Sequence, residues 1–362
     1  MKILVATSGG IDSSVIAHML AAEGHELVLV RFTLWSDPLA PALAQVLPSK
    51  CCNAQTAARA AHVAKALGTP LHLLDLEEEF KREVVDPFLE GYASAESPNP
   101  CIRCNRTIKF GRLLRFMEEM GCEKLATGHY ARIARERLPG GADRWLLLQA
   151  VDTKKDQSYY LAGLTQEQLS HALFPLGSMR KTDVRTLAKH FGIPVDRHYK
   201  ESQDLCFFPE KSPTAFLRRH LHDALSPGPI VRRDGAVVGT HQGLPLYTVG
   251  QRRGLRVGGQ PIPLEVVAKD RKTNQLIVAP KGEERVTDIA LDDLRWISWQ
   301  PDSPAPFECR LRSLSPRIFG KLQFKGSSGR FIFAEPQAPQ APGQALVLYK
   351  GEEVVGCGIM RT

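Results

Sequence analysis

Two short stretches carry the side chains best suited to chemistry. The first is Ser8-Gly9-Gly10-Ile11-Asp12-Ser13-Ser14. Adjacent glycines let the backbone approach a ligand closely. N–H groups at a helix start, with the hydroxyls of Ser8, Ser13 and Ser14, suit a phosphate. The stretch lacks the Gly-Lys-Ser/Thr ending of a Walker A loop. Asp12 is itself an anion, so it would meet a phosphate through Mg²⁺ rather than directly. The plainer alternative is a Gly/Ser turn that only caps a helix; a strand before it and a helix after it favour the phosphate reading. The second stretch is Pro98-Asn99-Pro100-Cys101-Ile102-Arg103-Cys104-Asn105, joined far along the chain by Cys206 in Ser202-Gln203-Asp204-Leu205-Cys206. Two cysteines three apart bring their sulfurs to one side of a turn. Three chemistries fit: half of a structural zinc site, a redox pair, or sulfur transfer by a persulfide relay or a three-cysteine iron–sulfur cluster with an open iron. A zinc site lacks a visible fourth ligand and a redox pair lacks its usual helix, but spacing alone does not separate the three. Adjacent Cys51 and Cys52 are poorly placed to share a metal, and Cys122, Cys309 and Cys357 sit in no motif, so these five read as small hydrophobes.

The elements that must position these residues alternate. Residues 3–6 predict a strand, followed by a Gly9-Gly10 turn and a helix capped at Asp12 or Ser13, running to Ala22 and stopped by Gly24. Strands are expected at 27–32, 71–74 and 124–127, and helices at 53–67, near 77–90 and at 108–120, with a Pro/Asn/Cys loop over 97–107. Such alternation predicts an α/β fold with a doubly wound parallel sheet, whose ligand lies at the carboxyl ends of the strands. Ala126-Thr127-Gly128-His129-Tyr130 would then face the same crevice, with Gly128 letting adenosine pack on backbone; His129 reads equally as a satisfied core histidine. Beyond about residue 205 the texture changes: Gly and Pro cluster over 226–263, and short alternating runs such as Arg330-Phe331-Ile332-Phe333 follow. The expected division is a catalytic domain over 1–206, a small central domain over 207–283 and a C-terminal β-barrel-like domain over 284–362.

Composition sets outer limits. Of 362 residues 43% are hydrophobic and 24% charged, as in an ordinary globular protein of two or three domains. No apolar run is long enough to span a bilayer and the N-terminal one is too short for a signal peptide, so no membrane partner and a cytoplasmic location are expected, with reduced thiols. The net charge of +8 permits a polyanionic partner. Between Glu210 and Gln260 eight Lys/Arg face three Asp/Glu, and Arg252 and Arg253 stand together there, a sharper pointer to nucleic acid than the total.

Taken in order, the Ser8–Ser14 loop, Asn99-Pro100-x-x-x-Cys104-Asn105, Ala126–Tyr130, Lys155-Asp156-Gln157-Ser158-Tyr159-Tyr160-Leu161, Phe174-Pro175-Leu176-Gly177, His241-Gln242-Gly243 and Thr248-Val249-Gly250-Gln251-Arg252-Arg253-Gly254-Leu255 resemble the bacterial tRNA-specific 2-thiouridylase family over nearly the full length. The first motif resembles the PP-loop of ATP pyrophosphatases, which cut ATP between the α and β phosphates and hold the pyrophosphate. The resemblance implies ATP at Ala6, Thr7, Ser8, Gly9, Gly10, Ile11, Asp12, Ser13, Phe32 and Gly128. It implies the target base at Asn99, Pro100 and Cys101, the nucleophile at Cys104 and a persulfide on Cys206, which pairs with Cys104 in a disulfide. It further implies the tRNA anticodon region at Lys155, Asp156 and Gln157, and a sulfur donor such as a cysteine desulfurase or a relay carrier. Phe32 stands where the family often has methionine, and the family's C-terminal Arg-Tyr contact is degenerate near Leu314-Ser315, with Arg317 as its substitute. Many members have Asp where this chain has Cys101. The three-cysteine pattern resembles a subgroup with a [4Fe–4S] cluster, which implies Cys101, Cys104 and Cys206 as its ligands. Two rivals stand: another PP-loop enzyme such as an amidating synthetase, which needs none of these cysteines, and a zinc-stabilised RNA-binding protein without catalysis, which leaves Ser8–Ser14 idle.

Overall fold

A computed structural model describes residues 1–41, 54–194, 205–259 and 262–361. Cys51, Cys52 and Ser202–Asp204 lie outside the described residues.

The chain begins with β1 (Lys2–Ala6), α1 (Ile11–Ala22), β2 (Glu26–Thr33), α2 (Ala54–Ala66) and β3 (Leu71–Asp75). A long helical rod follows as α3 (Glu77–Phe80), a π-helical stretch Lys81–Val85, and α4 (Asp86–Ala93). A second rod runs from α5 (Pro100–Cys104) through a π-helical stretch Asn105–Arg112 into α6 (Leu113–Glu119). Then come β4 (Lys124–Ala126), a hairpin of β5 (Ala131–Arg137) and β6 (Asp143–Gln149), α7 (Gln166–His171), β7 (Ala172–Leu173) and α8 (Lys181–His190). The sheet order is β3-β2-β1-β4-β7, and every pairing is parallel. Side chains alternate across it as the pleat requires. Ile3, Val5, Leu27 and Leu29 pack under α1, α2 and α8, whereas Leu4, Ala6, Val28 and Val30 pack against Phe110, Leu113 and Met117 on the opposite face. The expected doubly wound sheet is present. Strand order reverses between β1 and β4, so the loops after these two strands open a crevice at the switch point.

The segment expected as a loop at 97–107 is mostly helix, a correction with a local cause. Asn99 caps α5, its side chain accepting from the Cys101 N–H at 3.0 Å, and Pro100 takes the first helical position. An Asn cap followed by proline starts a helix rather than avoiding one. The cap of α1 also differs: it falls on Gly10, whose carbonyl accepts from Ser13 Oγ at 3.1 Å and Ser14 Oγ at 2.9 Å.

After α9 (Thr214–His220) the chain forms β8 (Gly228–Arg232), β9 (Val237–His241), β10 (Leu264–Asp270) and β11 (Gln275–Pro280), a small sheet of order β10-β11-β8-β9. Its inner face joins α4, α5 and α9 in one apolar cluster through Phe88, Cys104, Phe216, Ile230 and Val278. The last strands are β12 (Val286–Trp296), β13 (Ala305–Arg310), β14 (Ile318–Lys325), β15 (Ser328–Gln337), β16 (Ala345–Lys350) and β17 (Glu353–Met360). They close into a barrel by the β12–β17 pairing, and the β5–β6 hairpin of the first domain joins β17 at Glu353 and Val354. Tyr159, Ala345, Val347 and Tyr349 share the core below the parallel sheet, so barrel and first domain are packed as one body. Among the described residues no helix is long and apolar enough to cross a membrane.

Candidate active site at a three-way junction

The loop after β1 is held from both sides. Thr7 donates its N–H and hydroxyl to the Val30 carbonyl at 2.8 and 2.9 Å. Gly9 has φ +72°, and a Cβ there would sit 1.9 Å from the Thr56 carbonyl oxygen, so only glycine lets α2 pack this close. Buried Arg59 donates to the Gly9 carbonyl at 2.5 Å. Ser8 Oγ lies 3.3 Å from Ser13 Oγ. Ile11 points into the core, so it can serve a ligand only through its backbone. Gly128, after β4, meets the start of α1: a Cβ there would stand 3.2 Å from Asp12 Cβ and 3.3 Å from Ser13 N. The two loops expected to hold a nucleotide therefore touch. Phe32, at the carboxyl end of β2, is half-buried beside them.

Asp12 sits in a charged cluster that the sequence did not disclose. Lys181 Nζ contacts its two carboxylate oxygens at 2.6 and 2.8 Å, and the Tyr130 hydroxyl donates to Oδ1 at 3.1 Å. Lys181 is buried, lies 5.4 Å from the Tyr130 ring centroid and opens α8. It had no local signal, being one lysine in an unremarkable helix start; only the fold brings it to Asp12. A buried ammonium beside a carboxylate sets a cation fit for a polyphosphate next to an oxygen donor fit for Mg²⁺. Asp12 and the loop hydroxyls are hard oxygen donors of the kind Mg²⁺ takes, so this donor set fits the ion. His129 proves to be a core histidine. Its Nδ1 is 2.7 Å from Thr127 Oγ1, it packs against Phe110 and Phe174, and burial, followed by nearby Lys109, holds its pKa well below the usual value, so it is neutral.

The cysteines stand where three domains meet. Cys104 is buried in the apolar cluster with Phe88, Ile108 and Phe207, and half-buried Cys206 packs against the same cluster. Cys101 is half-buried on α5 and close enough to Tyr160 to help raise its pKa, which burial raises most; a hydrogen bond from Ser313 opposes the rise. Asn105 donates to the Tyr160 carbonyl at 2.9 Å. Ser97 bonds the central domain through Thr248 Oγ1 at 3.4 Å and the barrel through the Pro342 carbonyl at 2.7 Å. Exposed Arg312 reaches over Gly250, where a Cβ would lie 3.4 Å from its guanidinium. Among the described residues no three His, Cys, Asp or Glu side chains gather as a metal would require. Of the expected ligand set, Cys104 lies in the apolar cluster with Cys206 packed against it, and Cys101 lies toward Tyr160. The other described thiols are inert packing groups; burial pushes Cys357 up to about 12 and raises Cys122 and Cys309 as well.

Three residues expected to contact tRNA also carry bonds within the chain. The Asp156 side chain is 0% exposed and pairs with Arg310 at 3.1 Å. It also accepts from Gln149 Nε2 at 2.9 Å and Ser158 Oγ at 3.1 Å. Gln157 is bound twice to Tyr130, donating its N–H to the carbonyl at 2.8 Å and accepting from the N–H at 3.0 Å. This motif braces the crevice against the barrel, and of its three residues Lys155 and Gln157 remain partly exposed. Arg317 pairs with Glu308 at 2.6 Å, bonds Gln149 and the Gly351 carbonyl, and covers the Tyr349 ring at 4.4 Å. A guanidinium so engaged is a strut. Arg252 and Arg253 are exposed and make no ion pair among the described residues, as an RNA-facing surface requires.

A doubly wound sheet with a Gly/Ser loop at its switch point, followed by two β modules, defines a nucleotide-binding enzyme of the HUP class. Family models agree segment by segment: the tRNA methyl transferase HUP domain matches residues 1–210, the tRNA methyl transferase PRC-barrel domain 214–280 and the Aminomethyltransferase beta-barrel domain 286–360. The tRNA-specific 2-thiouridylase MnmA of Symbiobacterium thermophilum is 39% identical over 361 residues, covering 99% of this chain and 91% of that protein. Its counterpart in Geobacter metallireducens is 41% identical over 358 residues, covering 99% and 96%. That of Chloroflexus aurantiacus is 41% identical over 362 residues, covering 99% and 97%. The chain belongs to the tRNA-specific 2-thiouridylase family.

Proposed function

We propose that this chain uses ATP to replace the C2 oxygen of a wobble uridine in tRNA with sulfur, forming 2-thiouridine. The observation that carries the reading is the Asp12–Lys181–Tyr130 cluster at the switch point of the same sheet whose helical rod presents Cys104. Oxygen at C2 is a poor leaving group. Attack by that oxygen on the α-phosphorus, with loss of the N3 proton, makes it a good one and releases pyrophosphate to the Ser8–Ser13 loop. Asp12 would hold Mg²⁺ while Lys181 turns to the phosphates, so the arriving charges replace each partner the other loses. The base leaves its stack to reach Asn99, Pro100 and Cys101, with Tyr160 beside it.

Sulfur arrives as a persulfide on Cys206 from a donor protein such as a cysteine desulfurase or a relay carrier. The Cys104 thiolate attacks Cys206 Sγ, forming a disulfide and expelling hydrosulfide. Hydrosulfide adds to C2, its proton passes to N3 and AMP leaves; an external thiol reduces the disulfide. The relay needs only Cys104 and Cys206, which pack in one apolar cluster, and no step here needs a [4Fe–4S] cluster on Cys101, Cys104 and Cys206. Lys155 and the Arg252–Arg253 surface meet the anticodon region, and the reaction is expected in the cytoplasm. The test is anaerobic purification with iron, zinc and sulfide quantified, then assay of tRNA-dependent pyrophosphate release and of 2-thiouridine by nucleoside mass spectrometry. Both products are expected from iron- and zinc-free protein given ATP, Mg²⁺, a persulfide donor and a thiol reductant. Pyrophosphate release without tRNA thiolation would overturn the assignment. Thiolation only after reconstitution with iron and sulfide would replace the relay by the cluster.

A further inference from the structure

Asp37 follows β2 in a largely apolar stretch, Leu34-Trp35-Ser36-Asp37-Pro38-Leu39, that no motif covers, and its side chain is 0% exposed. Arg219 donates to Asp37 Oδ2 through Nε at 2.9 Å and Nη2 at 2.5 Å. His220 Nε2 lies 2.8 Å from Oδ1, and the Leu39 N–H donates to Oδ1 at 2.9 Å. Arg219 spends its remaining nitrogen on Glu210 at 2.6 Å. The Asp37 backbone N–H donates to the Phe207 carbonyl at 3.2 Å. Phe207 is the residue after Cys206, and its ring is boxed by Phe88, Phe216 and Phe80 at centroid distances of 5.2, 5.5 and 5.9 Å. Trp35 closes the same cluster from the β2 side, 5.9 Å from the His220 ring.

Burying a carboxylate with two basic groups gains little stability over apolar packing of the same volume, because desolvation offsets the attraction. What such a cluster supplies is a fixed geometry, and here the geometry is transmitted to one peptide, that of Phe207. We propose that the Asp37–Arg219–His220 cluster positions Cys206, holding its thiol where it meets Cys104. The proposal rests on the relay assigned above. Asp37 touches neither sulfur nor base; it acts through the peptide of Phe207. The same segment runs back to Phe32 at the end of β2, so the part of the chain that flanks the nucleotide crevice also anchors the sulfur carrier.

The experiment compares Asp37→Asn, and His220→Gln as a milder break at a less enclosed residue, in the full-length protein with melting temperature recorded. The positioning readout is the rate of Cys104–Cys206 disulfide formation with diamide, followed by mass spectrometry of the cross-linked peptides. Asp37→Asn is expected to slow that rate and tRNA thiolation each by at least tenfold. Pyrophosphate release should stay within about twofold. His220→Gln should move the same two quantities in the same direction by less. Wild-type disulfide and thiolation rates in a folded Asp37→Asn protein would overturn the proposal. So would a fall in pyrophosphate release in step with thiolation, or failure of both variants to fold, since either outcome marks a general structural role. Cys206→Ser separates the two layers: if it thiolates normally, the relay reading fails, while the disulfide rate in Asp37→Asn still decides whether the cluster places Cys206.

Discussion

The nucleotide crevice and the cysteine site share one sheet but are assembled in different ways. The crevice comes from loops after adjacent strands of a single domain, with Gly9 and Gly128 set by backbone contacts that leave no room for a side chain. The cysteine site needs a helix from the first domain, a loop from the second and a loop from the barrel, joined by bonds such as Ser97 to Thr248 and Ser97 to Pro342. A site built by one packed domain is preorganised before any ligand arrives. One built across domains has its geometry set by interfaces, which are where relative motion is easiest. Activation and sulfur delivery are therefore separable.

The largest effect tests that separation. Asp12→Ala removes the partner of Lys181 and the proposed donor to Mg²⁺, and is expected to lower tRNA-dependent pyrophosphate release by about a hundredfold or more. Cys104→Ser should abolish thiolation yet leave pyrophosphate release within a few-fold of wild type, because in the proposed sequence adenylation precedes attack by sulfur. Pyrophosphate and nucleoside assays on the two variants decide it. If Cys104→Ser loses both activities equally, the two sites work as one and the comparison collapses.

The same division explains what could be read from sequence. The parallel sheet was legible because hydrophobic strands alternate with capped helices, and the Ser8–Ser14 loop because its residues act on their own neighbours. Cys104 and Cys206 were legible as chemistry but not as geometry, since their shared cluster depends on Phe207, Phe88 and Phe216 from distant segments. Lys181 and Asp37 were invisible: each is one charged residue in an ordinary context whose partner is remote in the chain. The internal bonds of Asp156 and Arg317 were hidden for the converse reason. Acidic and basic residues near a tRNA-binding motif suggest a surface, but here both are struts between domains. Asn99-Pro100 misled because proline and cysteines together suggest a loop, whereas Asn then Pro is also how a helix starts.

A second test asks whether interfaces tune the cysteine site alone. Lys269 Nζ donates to the Tyr247 carbonyl at 3.0 Å and reaches the Glu96 carbonyl at 3.5 Å, tying the central domain to the chain just before Ser97. Burial lowers its pKa from 10.5 to about 8, with Glu96 opposing the fall. Above 8 the folded protein holds it neutral while the unfolded chain keeps the proton up to 10.5, so stability rises with pH across that window and the cost of the buried charge is complete below it. The gain is about 1.4 kcal/mol per pH unit, on the order of 3 kcal/mol in total. Denaturant unfolding of wild type and Lys269→Met should diverge in slope between these two pH values, with hydrogen exchange at residues 95–101 following the slope and exchange at residues 7–14 indifferent to it. Parallel profiles would show that this lysine is not part of the interface.

The smallest effect concerns the surface that the cysteine site presents to RNA. Four arginines in this region fall into two kinds. Arg310 and Arg317 are committed to Asp156, Glu308 and the Tyr349 ring, whereas Arg252 and Arg253 are exposed without an ion pair among the described residues. A guanidinium already neutralised by a carboxylate displaces no counterion from a phosphate, while an open one does. Reversing Arg252 and Arg253 to Glu is therefore expected to weaken tRNA affinity on the order of tenfold and to lower the slope of log affinity against log salt by about 2, about 1 for each lost phosphate contact. ATP-side behaviour should not change: at saturating tRNA, pyrophosphate release returns to the wild-type rate, because neither residue reaches the crevice. Filter binding across a salt series measures the slope. An unchanged slope with normal affinity would mean that the RNA lies elsewhere, and exposed Arg312 beside Gly250 would be the next cation to reverse.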